Sequence, residues 1–432
     1  MTAAAAANPT PRFNPALDLL RPYPFERLRA LLSPYIPPAH LAPINLSIGE
    51  PRHPTPAVLL NALAAAIPSL ATYPATRGTD TLRIAIASWL NRRYGLPAVD
   101  PQTQVLPITG SREGLFSFAQ TVIDPHAKSL VLVPNPGYQI YEGAALLAGA
   151  QLRYLPSTRE YGYRMPWEDV SAQDWPRVRL VYACSPGNPT GHVMALAEWA
   201  ELFELADRHD FLVAADECYS ELYFDESRPP LGALQAAWQL GRTRFERVVS
   251  FGSLSKRSNA PGLRSGYVAG DARALARFLA YRTYHGCAMG PAVQAASAAA
   301  WNDEAHVIDN RGQYARKFAA AQPLVSRVLP TDMPDAGFYL WARTPQDQDG
   351  ADAGYAARLY AEQNVMVLPG SFLGREVEGC NPGAGYVRLA LVADAGDVAE
   401  ATARILAQAG VAGTDADTTN QGAHAPRLSE PS

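Results

Sequence analysis

Between residues 100 and 275, short apolar runs alternate with stretches of helical periodicity: QVLPI precedes GLFSFAQTVI, SLVLV precedes YQIYEGAALLAG, and RLVYAC, FLVAAD, RVVSFG and SGYVAG follow. Unbroken apolar runs suit strands buried on both faces, and helical segments between them suit crossovers. The pattern therefore predicts an α/β unit built on a largely parallel sheet. The clearest helix carries Leu196, Trp199, Ala200, Phe203 and Ala206 on one stripe, with Glu198, Glu201 and Glu204 off it, and is predicted to link RLVYAC to FLVAAD. Beyond residue 320 the texture changes to the strands GFYLWAR, VMVLPG and YVRLALV and two amphipathic helices over 351–363 and 395–409. This predicts a smaller α+β domain, completed by 16–48. The expected division is a tail over 1–15, the small domain over 16–48 and 320–410, the large domain over 49–319, and a second tail over 411–432. Both tails are rich in turn formers or small residues and poor in large aliphatics.

The 432 residues are 48% hydrophobic and 18% charged, with a net charge of −4, which excludes a disordered chain and argues against a protein that tracks nucleic-acid phosphates. The first residues lack the charged start and apolar run of a secretory signal, and no stretch approaches the ~18 apolar residues of a membrane span, so a cytoplasmic protein is expected. The cysteines Cys184, Cys218, Cys287 and Cys380 are too widely spaced for a CxxC pair, in keeping with a reducing compartment. No metal is expected, because HExxH and Walker patterns are absent.

Candidate chemistry begins with the lysines. Only Lys128, Lys256 and Lys317 occur among 37 basic residues. Lys256 follows a buried-type strand in RVVSFGSLSKRSNAPGLRSGYVAG, at the kind of strand end where α/β sheets place ligand groups. An amine there suits imine formation with a carbonyl, which arginine cannot perform because it does not deprotonate. Ser253, Ser255 and Arg264 nearby suit an anionic ligand. In FLVAADECYS an apolar strand ends on Asp216. That carboxylate is a solvated loop group, a metal ligand, or the partner of a buried cationic ring; no flanking histidine favours the metal. Tyr219, three residues on, has a hydroxyl within reach of such a ring. ITGSREGLF turns a strand into a helix at Gly110, Ser111 and Arg112, either as an ordinary connection or as a phosphate cradle of N–H groups. SPGNPTG places Asn188 in a turn after RLVYAC, where its amide has two bonding sides.

Asn188 in SPGNPTG, Asp216 and Tyr219 in DECY, Lys256 in SLSK and Arg264 in GLRSGY, in this order and spacing, resemble the fold-type I pyridoxal-phosphate aminotransferases of the aspartate aminotransferase superfamily. The resemblance spans about residues 18–410 and includes SIGEP with Gly49, YPATRG with Tyr73, NPGY with Tyr138 and YVRLAL with Arg388. It implies pyridoxal 5'-phosphate as cofactor, a large domain with a mostly parallel sheet flanked by helices, and a smaller α+β domain. It implies that Lys256 carries the cofactor and moves the substrate proton, that Asp216 holds the ring nitrogen, and that Asn188 and Tyr219 bond the ring oxygen. Tyr138 would stack on the ring, and Gly110, Ser111, Arg112, Ser253, Ser255 and Arg264 would surround the phosphate. The side chain of Arg112 departs from the small or hydroxyl residue usual at its position. Arg388 would clamp the α-carboxylate, assisted by the Gly49 backbone and Asn188. Tyr73 would reach the phosphate of a neighbouring subunit, implying a homodimer with shared sites.

The runs PYPFERLRALL, SIGEPRHPTP, SLSKRSNAPGLRSGYVAGD and YRTYHGCAMGPAVQ resemble, more narrowly, the succinyldiaminopimelate transaminases of lysine biosynthesis. That resemblance implies amino transfer between glutamate/2-oxoglutarate and N-succinyl-LL-2,6-diaminopimelate/N-succinyl-2-amino-6-oxopimelate. Arg282, ahead of Arg77 and His285, is then the candidate for the distal carboxylate. The alternatives are another class I/II aminotransferase, of aspartate, aromatic or alanine type, or a carbon–sulfur lyase of the same fold. Either would keep every cofactor residue named. Small-molecule substrates are expected, with no nucleic acid and no membrane as partner.

Overall fold

A computed structural model of the chain describes residues 13–345 and 351–411. The expected tails therefore lie almost wholly outside the described residues. The first strand, β1, is the short Ile44–Asn45. Next come β2 (Val105–Ile108), β3 (Leu130–Asn135), β4 (Gln151–Pro156), β5 (Val178–Cys184), β6 (Leu212–Asp216), β7 (Val248–Ser253) and β8 (Gly266–Gly270). They form a seven-stranded sheet in the order β2-β8-β7-β6-β5-β3-β4, parallel except for β8, which runs against both neighbours. Each apolar run singled out in this region is a strand. The additional strand is β4, whose exposed Gln151 and half-buried Leu152 and Arg153 break the apolar pattern because it pairs on one side only, with β3. The helix Leu196–His209 links β5 to β6 and buries Trp199, Leu202, Phe203 and Ala206, while Leu196 stays at the surface.

After the large sheet come β9 (Tyr339–Arg343), β10 (Val365–Met366), β11 (Leu368–Pro369) and β12 (Tyr386–Ala390). The antiparallel order is β11-β12-β9, and β10 pairs in parallel with β1. The helix Pro24–Leu32 packs on β11 and on the helix Ala351–Gln363, whereas the 3-10 turn Pro15–Leu19 packs on the helix Gln139–Leu147 beside the large sheet. Residues 16–48 thus divide between the two units. The expected boundary at 319/320 falls inside the helix Ala305–Val325. Its Tyr314, Phe318, Ala321 and Val325 share an apolar cluster with Ile44, Leu340, Leu389 and Ile405. Periodicity reveals that such a helix has a buried stripe but not which sheet the stripe faces.

Parallel strands bring their carboxyl ends to one edge, and register keeps those ends level: Cys184 pairs with Asp216, and Asp216 with Phe251. NPGY begins on the last residue of β3, and SPGN, ECYS and LSKR follow β5, β6 and β7, so the chemistry-bearing motifs converge on that edge.

Candidate active site

A cavity of about 530 Å³ opens at this edge, lined by both units. Lys256 enters it from the single helical turn Leu254–Arg257 after β7, whose start is capped by Ser253: the Ser253 hydroxyl accepts from the Ser255 N–H at 3.1 Å. Lys256 Nζ donates to the Gly49 carbonyl and lies 5.4 Å over the Phe338 ring. Burial moves its amine down to about 8, because desolvation penalises the ammonium. The close approach of Gly49 excludes any side chain there, since a Cβ would sit 1.9 Å from the Tyr339 hydroxyl.

Asp216 is 3% exposed at the end of β6. Its Oδ2 accepts from Tyr141 Oη at 2.6 Å and its Oδ1 from the Cys218 N–H at 3.3 Å. Burial raises its pKa, with the Cys218 and Tyr141 hydrogen bonds opposing. Among the described residues no basic side chain pairs with it directly, so the carboxylate lacks a counter-charge that a protonated ring nitrogen would supply. At the other end, Gly110 adopts φ 92° as the cap of the helix Ser111–Val122, and a Cβ there would lie 2.2 Å from Arg264 Nη2. The helix start, Arg264 and the hydroxyls of Ser111, Ser253 and Ser255 converge on this end of the cavity and match a phosphate dianion. A buried unpaired carboxylate at one end, an anion cradle at the other and a depressed lysine between them fit pyridoxal phosphate.

Arg388 reaches the cavity from β12. Its Nη1 donates to Asn188 Oδ1 at 3.0 Å and its Nη2 to the Ser47 carbonyl at 2.8 Å, while its Nε is buried without a partner. The guanidinium rests 4.2 Å from the centroid of the Tyr339 ring, which fixes its plane. Tyr219 Oη lies 3.0 Å from Tyr339 Oη, and burial raises its pKa well above the phenol range. Tyr138 lines the cavity and accepts from Arg112 Nε at 2.7 Å. The exposed Arg112 side chain lies along the cavity wall between Tyr138 and Tyr23, whose hydroxyl accepts from its Nη2 at 3.4 Å.

The expectation for Arg282 is corrected. Its side chain is 1% exposed, donating from Nη1 to Glu113 at 2.5 Å and from Nη2 to the Cys287 carbonyl at 2.9 Å, and it does not line the cavity, so it is enclosed out of reach of a substrate carboxylate there. It instead steadies Glu113, which accepts from the Thr109 N–H and hydroxyl at 3.1 and 2.9 Å and so braces the turn before Gly110. Arg77 is spent on Gln102, His285 lies against Cys287, and neither lines the cavity of its own chain. Tyr73 is fully exposed and likewise outside it.

The motif reading missed Tyr23, Cys218 and Tyr339, which line the cavity, and Tyr141, which bonds Asp216 from behind it. Tyr23 sits at the cap of the helix Pro24–Leu32, and Cys218 donates its thiol to Ser111 Oγ at 2.9 Å. Tyr339 comes from a strand of the other unit. Tyr141 lies one helical turn after Tyr138, and that i, i+3 spacing was the available signal.

Residues 42–405 match the family model of class I and II aminotransferases. The chain belongs to that family, and is a pyridoxal-phosphate-dependent aminotransferase acting on small amino and 2-oxo acids. It is similar to an aminotransferase of Neisseria meningitidis Z2491, at 48% identity and TM-score 0.88 over 91% of this chain and 99% of that one. It is 30% identical over 366 residues, 84% of this chain and 90% of the relative, to the LL-diaminopimelate aminotransferase of Nitratidesulfovibrio vulgaris (strain DSM 19637 / Miyazaki F). A probable N-succinyldiaminopimelate aminotransferase of Thermus thermophilus matches at 27% identity and TM-score 0.78, over 89% of this chain and 100% of that one.

Proposed function

We propose that the enzyme exchanges the amino group of glutamate with N-succinyl-2-amino-6-oxopimelate, giving N-succinyl-LL-2,6-diaminopimelate and 2-oxoglutarate. The observation that carries this reading is a third arginine in the cavity. With Lys256 and Arg264 facing the cofactor and Arg388 facing the α-carboxylate, Arg112 remains as a cation held by Tyr138 and Tyr23 against the wall. Glutamate and both pimelate derivatives carry a distal anion, and Arg112 takes the role expected of Arg282.

The bound cofactor supplies an aldehyde for amine exchange and a ring that accepts electrons. The remaining work falls to side chains. Arg388 grips the α-carboxylate through its fork, and the amide of Asn188, oriented by Arg388, turns its Nδ2 away from that contact. Lys256 Nζ, partly neutral near pH 8, removes and returns the proton at the substrate α-carbon. Asp216 holds its charge against the ring nitrogen. The working unit is a homodimer in which Tyr73 enters the neighbouring site; the complete exposure of Tyr73, beside the exposed Ile67 and Leu70, supports this.

A second reading, transamination of free LL-diaminopimelate, is favoured by the Nitratidesulfovibrio vulgaris relative. Steady-state rates with glutamate as donor and a panel of N-succinyl-2-amino-6-oxopimelate, oxaloacetate and phenylpyruvate test the proposal, with LL-diaminopimelate and 2-oxoglutarate assayed alongside. Preference for the succinylated acceptor supports the first reading. Preference for unmodified LL-diaminopimelate moves the assignment to the second. Efficient use of oxaloacetate or phenylpyruvate with neither removes both.

A further inference from the structure

Lys317 and His53 lie outside the cavity and take no direct part in amino transfer, yet each is tied to a residue that does. Lys317 is 4% exposed on the helix Ala305–Val325. Its Nζ reaches His53 Nε2 at 2.7 Å, the carbonyls of Leu391 and Val392 at 3.3 and 3.4 Å, and the carbonyl of Ala393. Those carbonyls directly follow β12, the strand that carries Arg388. Asn310 stands seven residues before Lys317, two turns along one face of the same helix. Its Oδ1 lies 2.7 Å from His53 Nδ1 and accepts from Asn259 Nδ2 at 3.0 Å, while its Nδ2 donates to the backbone carbonyl of Lys256 at 3.3 Å.

These contacts fix the protons. Asn310 must turn its NH2 toward the Lys256 carbonyl, so its oxygen faces His53, and His53 Nδ1 carries the hydrogen. Nε2 must then accept from the Lys317 amine. A second proton on the ring would set an N–H against that ammonium. Burial lowers the His53 pKa; Lys317 and Arg316 act the same way, and the Asn310 hydrogen bond and Asp309 oppose. Burial brings Lys317 down to about 8 against the pull of Asp394. The Tyr314 ring packs on both, with its centroid 4.6 Å from that of His53 and 4.9 Å from Lys317 Nζ.

We infer that His53 is a positioning residue, joining the Lys256 turn through Asn310 to the Arg388 strand through Lys317, and so setting where the substrate α-carbon falls relative to Lys256 Nζ. Holding the carboxylate from one unit and the proton-moving amine from the other demands such a link, because reacting atoms must be placed to within about 0.5 Å. His53 also follows Ser47 and Gly49, whose carbonyls accept from Arg388 and Lys256, so one short segment touches both partners. The inference rests on Lys256 carrying the cofactor and Arg388 gripping the carboxylate. Borohydride labelling of Lys128 or Lys317 in the wild type would remove that premise, whatever the behaviour of the His53 variants.

The test combines a cofactor-free and a cofactor-loaded readout. Nitrogen-15 histidine spectra of the apoenzyme should show one neutral Nδ1–H ring between pH 6 and 8 that disappears in His53→Ala. In the holoenzyme, Lys317→Met should raise the glutamate KM about tenfold while leaving the pH midpoint of the cofactor's visible band unmoved. His53→Ala should do both, raising KM and shifting that midpoint by about 0.5 unit. His53→Asn, which keeps a donor toward Asn310, should restore the midpoint but not KM. A charged or Nε2–H ring for His53 overturns the inference. So does a KM within twofold of wild type in Lys317→Met and His53→Ala. Should His53→Ala not fold, the wild-type spectrum at the assigned resonance and the Lys317→Met kinetics decide by the same criteria.

Discussion

Arg388 and Asn188, 200 positions apart in the chain, meet through a 3.0 Å hydrogen bond from guanidinium Nη1 to amide Oδ1. The contact assigns the amide's two ends: its oxygen is committed to Arg388, leaving Nδ2 to bond an oxygen in the cavity. It also leaves Arg388 with a buried Nε that has no partner among the described residues, a donor open to a water or a ligand.

Arg388→Ala should therefore weaken every amino-acid substrate alike. Two charge-assisted bonds at about 1.5–3 kcal/mol each are lost, so kcat/KM should fall by roughly two orders of magnitude or more with cofactor content unchanged. Comparing alanine, aspartate and glutamate as donors checks this; a loss confined to one of them would contradict it.

Arg112→Gln should be selective instead. Glutamate loses its distal anion partner and should suffer by tenfold or more, on the order of a lost charged hydrogen bond, whereas alanine has no distal anion to leave unpaired. Equal losses on both donors would show that Arg112 serves the cofactor end of the cavity. Arg282→Ala, by contrast, should lower thermal stability without changing the ratio of the two donors, because its buried guanidinium braces Glu113.

Asp216→Asn should cut turnover far more than cofactor occupancy. A neutral amide still occupies the space between Tyr141 Oη and the Cys218 N–H, but cannot balance a protonated ring nitrogen. Absorbance-based cofactor counting beside kcat separates the two quantities. Near wild-type turnover would leave Asp216 a purely structural group.

The pH dependence of cofactor capture should follow Lys256. An ordinary lysine is protonated up to about 10.4, but this amine, lowered to about 8, is roughly a quarter neutral at pH 7.5 and mostly neutral above 8.5. The lowered value makes the reactive neutral form the one that grows as pH rises, so the rate at which apoenzyme takes up pyridoxal phosphate should climb through pH 8 and level off above it. Lys256→Ala should abolish the borohydride-reducible link. A rate still rising steeply at pH 10 would place the amine in an ordinary environment.

Mixing inactive Tyr73 and Lys256 variants, after dissociation and reassociation, should recover activity in hybrids that retain one intact site. Sedimentation as a monomer at assay concentration would count against Tyr73 crossing between subunits.

The sequence by itself determined six of the seven strands of the large sheet, because each is a short apolar run bounded by turn formers, and missed the edge strand β4; the resemblance of the strand-end motifs implied the cofactor set, which parallel topology brings to one edge. Lys256, Asp216, Asn188, Arg264 and the Gly110 turn were legible for that reason, and so was Arg388, a charge inside an apolar strand. Only the tertiary structure decided which cations are free. Arg282 and Arg112 look equivalent along the chain, but one is enclosed with Glu113 and the other is held along the cavity wall by Tyr138 and Tyr23. Tyr339 and the Lys317–His53–Asn310 chain were hidden for a related cause: their partners lie on segments distant in sequence, and no local period encodes which face of one unit meets the other.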